Sequence, residues 1–543
     1  MLNDFSVVAN SIAATTKKGE KERLLAAYLA GLDDASLERA VVFFSGSPFP
    51  RREQRVTGVG WSLIADAVLH ATGRTFAELS QAWPKYADLG DTVAELFPAD
   101  LSRTITLSEL GEAFDTLAAT SGSNEKKAVL TALFRKVDAN GARYIVKILQ
   151  SEFRIGLQEG LVESAIAKAF GRSLEAVRRA NMFTGDIGAA ALLARSDALD
   201  TAKMRLFHPF AFMLAQPEET PAEIFAALGD GCYADDKYDG IRGQIHAGGG
   251  EVRIYSRTLD DVTHRFPEIE SAARDFGHSV ILDGEIVAFR DRILPFAVIQ
   301  TRLGRRKVTD KLLADAPVAF FAFDLLYVDG EPLFERPLKD RAKVLATLIR
   351  PGTLIRLTDR VVIRSAAQID PAFDAARARA NEGLVVKGPE SIYTPGRRGK
   401  SWLKYKKALA TLDCVVTAAE YGHGKRRAVL SDVTFAVLRD REFVNIGKAY
   451  TGLTDAEIAQ LTEHFKKTTA ARYGPVHAVT PEIVLEIAFD RIQESKRHKS
   501  GYALRFPRIV RIRDDKSVDE ISTIDEVRRI YEGQLKREGG PQI

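Results

Sequence analysis

Lys237-Tyr-Asp-Gly240-Ile-Arg242 is the stretch on which the reading of this chain turns. It follows Tyr233-Ala-Asp235-Asp, so Lys237 is expected to end a strand that enters a turn at Asp239-Gly240. A lysine side chain, with a reference pKa of ~10.4, is a nucleophile at neutral pH only where desolvation or neighbouring cations remove its proton. Arg242, five residues on, supplies a second positive charge. The same tetrapeptide alone also describes an exposed charged turn, so its surroundings decide.

Outward from this stretch run short strand-like segments: Gln244-Ile-His246, Glu251 to Ser256, Val280 to Asp283 and Ala319 to Tyr327. Helical spacing falls between them, around 267–276 and 338–349. His208-Pro209 and Pro217 to Pro221 mark a boundary before them, and residues 205–407 read as one α+β domain. Residues 1–204 read as all-α: Val146, Leu149 and Phe153 follow Ile145 at helical spacing, and Val162, Ala165, Ile166 and Ala169 form another stripe. Gly141 and the Gly156 to Gly160 segment are expected to punctuate these helices. Residues 408–543 read as strand-rich, with runs at Cys414, Val433, Ile483 and Ile509 and one helix near 454–467. That pattern suits a five-stranded β-barrel of the OB-fold type.

Bulk properties bound the function. A chain of 543 residues exceeds one hydrophobic core and implies several domains. With 45% hydrophobic and 28% charged residues it has ordinary globular composition. No apolar run reaches the ~18 residues of a membrane helix, and the Met1-Leu-Asn-Asp-Phe5 start has no signal-peptide character. Two cysteines, Cys232 and Cys414, exclude a disulfide framework and a four-cysteine zinc site. The net charge is only +4, but between Lys387 and Arg427 ten Lys/Arg face three acids, a local excess that points to a polyanionic partner.

The chemistry-bearing residues then fall in a fixed order: Lys237-Tyr-Asp-Gly240, Ser256-Arg257, Asp283-Gly-Glu285, Phe323-Asp324, Glu382-Gly-Leu-Val-Val-Lys387, Trp402-Leu-Lys404-Tyr-Lys406, and Arg508 to Lys516. In this order the chain resembles the covalent nucleotidyltransferase superfamily, and within it the ATP-dependent DNA ligases of the eukaryote-like and archaeal type with an N-terminal DNA-binding domain. The resemblance implies that Lys237 attacks the α-phosphate of ATP, releases pyrophosphate and holds AMP as a phosphoramidate. It implies phosphate contacts for Lys387 and Lys404, and ribose or divalent-metal binding for Glu285 and Glu382, carboxylates of the kind Mg²⁺ or Mn²⁺ takes beside a triphosphate. By pattern alone Phe323 is a core aromatic; the resemblance makes it the ring on which adenine stacks. Arg242, Arg257 and Arg398 fall at nucleotide-binding positions, Arg257 also near the DNA 5′-phosphate. Asp235 stands where the family usually has a glutamate that contacts the adenine amino group, a shorter side chain for the same reach. Arg511 and Lys516 match cations that grip the leaving pyrophosphate. Gly422-His-Gly-Lys425-Arg426 resembles a glycine-rich loop that meets DNA phosphates, and Phe153-Arg154-Ile-Gly156 resembles a segment of the DNA-binding domain.

The partner implied is nicked duplex DNA, met by a monomer in the prokaryotic cytoplasm, associated with the nucleoid while it acts and with no membrane. Replication, repair and recombination are the processes such an enzyme serves. An mRNA-capping guanylyltransferase shares the lysine motif but has no use for the helical third. An NAD-dependent ligase usually carries the zinc site that two cysteines exclude. A catalytically silent DNA-end-binding module has no use for a lysine ringed by cations. The C-terminal barrel is expected to approach the nucleotide and swing away about a hinge near Lys407 to Leu412.

Overall fold

The apolar stripes of the N-terminal third close on one another as helices, from Leu2–Ala14 to Ile187–Arg195, in a computed structural model. This structure describes residues 1–86, 88–98, 102–303, 305, 308–406, 410–422, 426 and 429–537. Helix starts are set by side-chain caps: Asp33, Asp138, Ser173 and Asp186 each accept from a first-turn N–H, and Thr106 forms a reciprocal capping box with Glu109. The core centres on buried Phe5, Phe43, Phe44, Phe114, Phe134 and Tyr144. Each buried ring contributes roughly 1.5–3 kcal/mol from area alone. Two expectations change here. Helix Ala139–Leu149 ends before Phe153, which packs on Phe5 and Phe44 from the following loop, beyond Ser151 at φ 53°. Gly141 lies in the first turn of that helix, not between helices: Asp138 caps its N–H, and Val137 and Leu2 crowd the place a Cβ would take.

The strands, in chain order, are β1 (Leu214–Glu218), β2 (Cys232–Lys237), β3 (Ile241–Gly248), β4 (Glu251–Ser256), β5 (Val280–Ala288), β6 (Val318–Val328) and β7 (Glu331–Pro332). They continue with β8 (Ile355–Leu357), β9 (Arg360–Ile363), β10 (Gly383–Lys387) and β11 (Arg398–Tyr405). These make two sheets. One has the order β1-β11-β10-β2-β9; the other runs β4-β3-β5-β6-β7, with β8 added parallel to β6. Helices Pro267–Arg274, Phe296–Leu303 and Leu338–Leu348 cover the second sheet and Ile369–Ala378 covers the first. The linker from the helical region is pinned to the second sheet: His246 accepts the Phe207 N–H at 2.9 Å, and Tyr255 donates to the Phe207 carbonyl at 2.9 Å.

The remaining strands are β12 (Ala410–Tyr421), β13 (Leu430–Arg439), β14 (Glu442–Ala449), β15 (Thr469–Tyr473), β16 (Val476–Val479), β17 (Val484–Phe489), β18 (Arg491–Glu494), β19 (Tyr502–Arg505) and β20 (Arg508–Ile512). The long β12 pairs with β13, β16 and β17 along successive parts of its length, so the sheet curls around it. The sheet has seven strands where the sequence suggests a five-stranded barrel: the runs at Cys414, Val433, Ile483 and Ile509 are β12, β13, β17 and β20, and β14 and the hairpin β15–β16 add to them. Helix Asp455–Lys467 lies between β14 and β15, and a second helix, Ile524–Arg537, closes the described chain. Strands β18 and β19 form a separate hairpin.

Candidate active site

Strand pairing assembles the site. Side chains two apart in a strand share a face, so Tyr233, Asp235 and Lys237 line one face of β2. In the antiparallel register Asp235 lies between Val385 of β10 and Arg360 of β9, and Val385 is opposite Lys404 of β11. Lys387 is opposite Tyr233 and Trp402 in the same rows. Lysines 150 and more residues apart in sequence thus meet on one face.

Lys237 ends β2 and Glu382 immediately precedes β10, whose first residue pairs with Lys237. The two side chains meet, Lys237 Nζ lying 2.5 Å from Glu382 Oε2. Lys406 approaches the same oxygen at 2.5 Å. Burial works against the charge of Glu382, but Lys237 and Lys406 outweigh it and hold the carboxyl at about 2. Gly240 closes the turn: a Cβ there would stand 2.4 Å from the Ile286 carbonyl oxygen, so only glycine lets β3 leave the lysine this tightly.

The second sheet brings an aromatic and two acids. Arg242 pairs with Glu285 across β3–β5. On β6, Ala322 is opposite Gly284 and Asp324 opposite Asp283, so Phe323 is the extra residue of a β-bulge. The bulge turns its ring out of the sheet core, towards Trp402 at 6.2 Å and Lys387, whose Nζ lies 4.2 Å from the ring centre. Arg242 forks Asp283 at 3.1 and 2.7 Å, and Tyr393 donates to the same carboxylate at 2.7 Å. The Arg242 guanidinium is thus paired with Asp283. Glu285 makes no ion pair or hydrogen bond among the described residues. Burial, with repulsion from Glu382 and Asp283, pushes its carboxyl up to about 8 despite Lys237 and Arg242.

Asp235 is buried and held by three bonds, from Arg360 at 2.5 and 2.7 Å and from Lys387 at 2.8 Å. Burial would raise its carboxyl; Lys387 and Arg360 lower it further than burial lifts it. Lys387 is lowered, by burial first and by Arg360, with Asp235 opposing. Nearby, Lys404 is lowered by burial and then by the charges of Lys237, Arg398, Lys406 and Arg257. Those five cations thus share one site, with Arg257 and Arg398 exposed at its rim.

The C-terminal domain reaches this site through β18–β19. Arg505 forks the Asp239 carboxylate, with Arg491 at 3.7 Å, and Asp490 accepts from Lys406 at 2.8 Å. Arg511 and Lys516 are not brought in: they pair inside their own domain with Glu486 at 2.8 Å and Asp413 at 2.6 Å. Arg426 lies away as well, against the Tyr450 carbonyl and Asp455, and Lys425 and residues 407–409 of the expected hinge lie outside the described residues. Arg154 is exposed on the loop after helix Ala139–Leu149, at φ 49° and 2.6 Å from Glu152. Sequence reasoning passed over Arg360, Asp239, Lys406 and Arg505. The last three stand inside or beside quoted motifs, a usable signal; Arg360 has none.

A lysine at a strand end, flanked by carboxylates, cations and an outturned aromatic on two facing sheets, defines a nucleotidyltransferase site set between a helical and a strand-rich domain. Residues 1–167, 212–406 and 426–516 match the families described as DNA ligase N terminus, ATP dependent DNA ligase domain and ATP dependent DNA ligase C terminal region. A protein of Koribacter versatilis named probable DNA ligase is 44% identical over 97% of this chain and 96% of its own length. A DNA ligase of Archaeoglobus fulgidus is 34% identical over 94% of this chain and 95% of its own. The solved structure Pmar-Lig_PreS3 shares the fold, with a TM-score of 0.62 and 15% identity over 94% of this chain and 99% of that one. The chain belongs to the ATP-dependent DNA ligases, and its activity is the ATP-driven joining of DNA.

Proposed function

We propose that Lys237 carries AMP from ATP to a nick and that the residues around it divide the work as follows. Lys237 Nζ attacks the α-phosphate, the bond to the β-phosphate breaks, and pyrophosphate leaves. Nζ must shed a proton to solvent first; Glu382 Oε2, 2.5 Å away and held ionised by Lys237 and Lys406, orients the amine and does not keep that proton. The nick 5′-phosphate then displaces the lysine from AMP, and the 3′-hydroxyl finally displaces AMP to form the phosphodiester. The observation that carries this reading is that Lys237 and Lys406 share Glu382 Oε2 while Lys237, Arg398, Lys406 and Arg257 all bear on Lys404, cations placed where phosphate charge must be met. Phe323, turned out by its bulge, offers the face on which adenine stacks. Arg242 supports that face, its guanidinium 5.4 Å from the Phe323 ring and 4.7 Å from Phe212. Asp235, already engaged by Arg360 and Lys387, serves to place Lys387 as well as to face the adenine edge.

Glu285 and Glu382 are the residues that would hold Mg²⁺ or Mn²⁺. The carboxyl of Glu285, raised to about 8 by burial and then by Glu382 and Asp283, has no ion pair among the described residues and suits a divalent cation. Such an ion, when bound, neutralises phosphate charge. Arg511 and Lys516 would meet pyrophosphate after the C-terminal domain reorients, and Arg154, Lys425 and Arg426 would meet DNA phosphates. We take residues 1–204, 205–407 and 408–543 as the DNA-binding, adenylation and OB-fold units of a monomer acting in the prokaryotic cytoplasm. No described helix is long and apolar enough to cross a membrane. Incubation with ATP, GTP or NAD labelled in the α- or adenylyl phosphate tests the reading. Label should enter the protein from ATP alone and be discharged by nicked DNA; labelling from GTP or NAD would refute it.

A further inference from the structure

Among the described residues, the hydrogen bonds from the helical region to the Arg257 loop come from Gln54. A short turn, Arg51–Glu53, ends at Gln54, which takes the left-handed conformation at φ 52°. Both donors and the oxygen of its amide are engaged. Nε2 donates to the Arg51 carbonyl of its own turn and to the Leu259 carbonyl of the middle domain, both at 2.9 Å. Oε1 accepts the Asp261 N–H at 2.9 Å. Donor and acceptor together pair with the loop backbone as a strand edge would.

The loop so gripped is a closed turn. Leu259 N donates to the Ser256 carbonyl at 2.8 Å, and Ser256 N to the Asp260 carbonyl at 2.9 Å. Leu259, buried, sits at φ 68°, a conformation a leucine holds only when its surroundings dictate it. Arg257 is the first residue of this turn; it is exposed and makes no ion pair among the described residues. Its charge nonetheless registers on Lys404. The grip on Leu259 and Asp261 holds the backbone turn from which that guanidinium extends.

We propose that Gln54 is a positioning residue: it couples the helical region to the Arg257 turn and thereby aligns the nick phosphate for AMP transfer. This rests on the reading of Arg257 as a phosphate contact. Because the link is a neutral amide paired with backbone, it is insensitive to the salt that weakens phosphate contacts. Self-adenylation needs no DNA and keeps Arg398, Lys404 and Lys406 whatever the place of Arg257, so it depends on the link far less than transfer does.

The test measures two rates in Gln54→Ala and Gln54→Glu: self-adenylation by ATP, and single-turnover transfer of AMP from adenylated enzyme to a nick at saturating DNA. In Gln54→Ala the first rate should stay within about twofold, which also reports an intact fold, and the second should fall about tenfold or more, the scale of a displaced reacting group. Gln54→Glu keeps the acceptor for Asp261 but loses the donor, and should lie between. Equal losses in both rates would make Gln54 a folding contact and overturn the proposal. Transfer that recovers fully at saturating nick concentration would make it an affinity contact, and would overturn the proposal as well. Arg257→Ala is measured alongside: if it transfers AMP normally, the reading of Arg257 fails, and a transfer defect confined to Gln54→Ala would separate the two.

Discussion

Replacing Arg505 with alanine should release the C-terminal domain from the Lys237 turn. Arg505 is 19% and Asp239 9% exposed, and the guanidinium forks the carboxylate while lying 4.7 Å from the Phe296 ring and 4.9 Å from Phe506. Burial already raises the Asp239 carboxyl, with Arg505 opposing and Glu382 adding repulsion. Without Arg505 the acid keeps Arg491, at 3.7 Å. Breaking a buried pair costs ~3–5 kcal/mol. The retained arginine and the water admitted when the domains part reduce that to ~2–3 kcal/mol, or roughly 30- to 150-fold in the ratio of docked to undocked molecules. Single-molecule energy transfer between dyes on the middle and C-terminal domains, without DNA, reads this ratio directly. Arg505→Lys keeps the charge but not the fork and should shift it less. An Arg505→Ala distribution identical to that of the unaltered protein would show that this pair does not hold the domains together.

Other outcomes follow from the same geometry. Lys516→Ala should cripple reaction with ATP, where pyrophosphate leaves, yet still seal a nick whose 5′-phosphate is already adenylated; equal losses in both assays would remove the two-position account of the C-terminal domain. Nick affinity should fall steeply with added salt, and removing residues 1–204 should weaken sealing far more than self-adenylation, since phosphate contacts release counterions; a flat salt response would contradict it. His246, buried and held at about 3 by desolvation, is neutral in the fold and ~6.5 when unfolded. A lowered folded value means its stabilisation is present above pH ~6.5 and is lost as pH falls towards 3. Between pH 7 and 5 this one group should remove about 2 kcal/mol, measured as a denaturation midpoint, and His246→Gln should lack that slope.

What was legible in the sequence is what lies in local spacing. Lys237 at a strand end, Gly240 in the turn and Glu285, Glu382, Lys387 and Lys404 on or beside strands all stand in short runs whose periodicity places them. What was not legible is which of them share partners, because pairing across the sheet is non-local. Arg360 meets Asp235 only because β9 lies beside β2 at one register, 125 residues apart in sequence. The bulge at Phe323 needs the partner strand before it exists at all, and pattern alone sends that ring into the core. Phe153 kept the helical phase of Ile145 while the backbone left the helix at Ser151, so its burial was readable and its element was not. The position of the C-terminal domain is set by ion pairs such as Arg505 with Asp239, 266 residues apart, and no local pattern encodes them.

Lys237 is the residue proposed to carry AMP. Incubating the full chain with ATP and Mg²⁺, digesting it and mapping the adenylated peptide by mass spectrometry tests this most directly. One AMP per chain is expected, on Lys237, discharged by nicked DNA and absent from Lys237→Ala. AMP on another lysine, such as Lys404, or adenylation of Lys237→Ala at the normal rate, would contradict it.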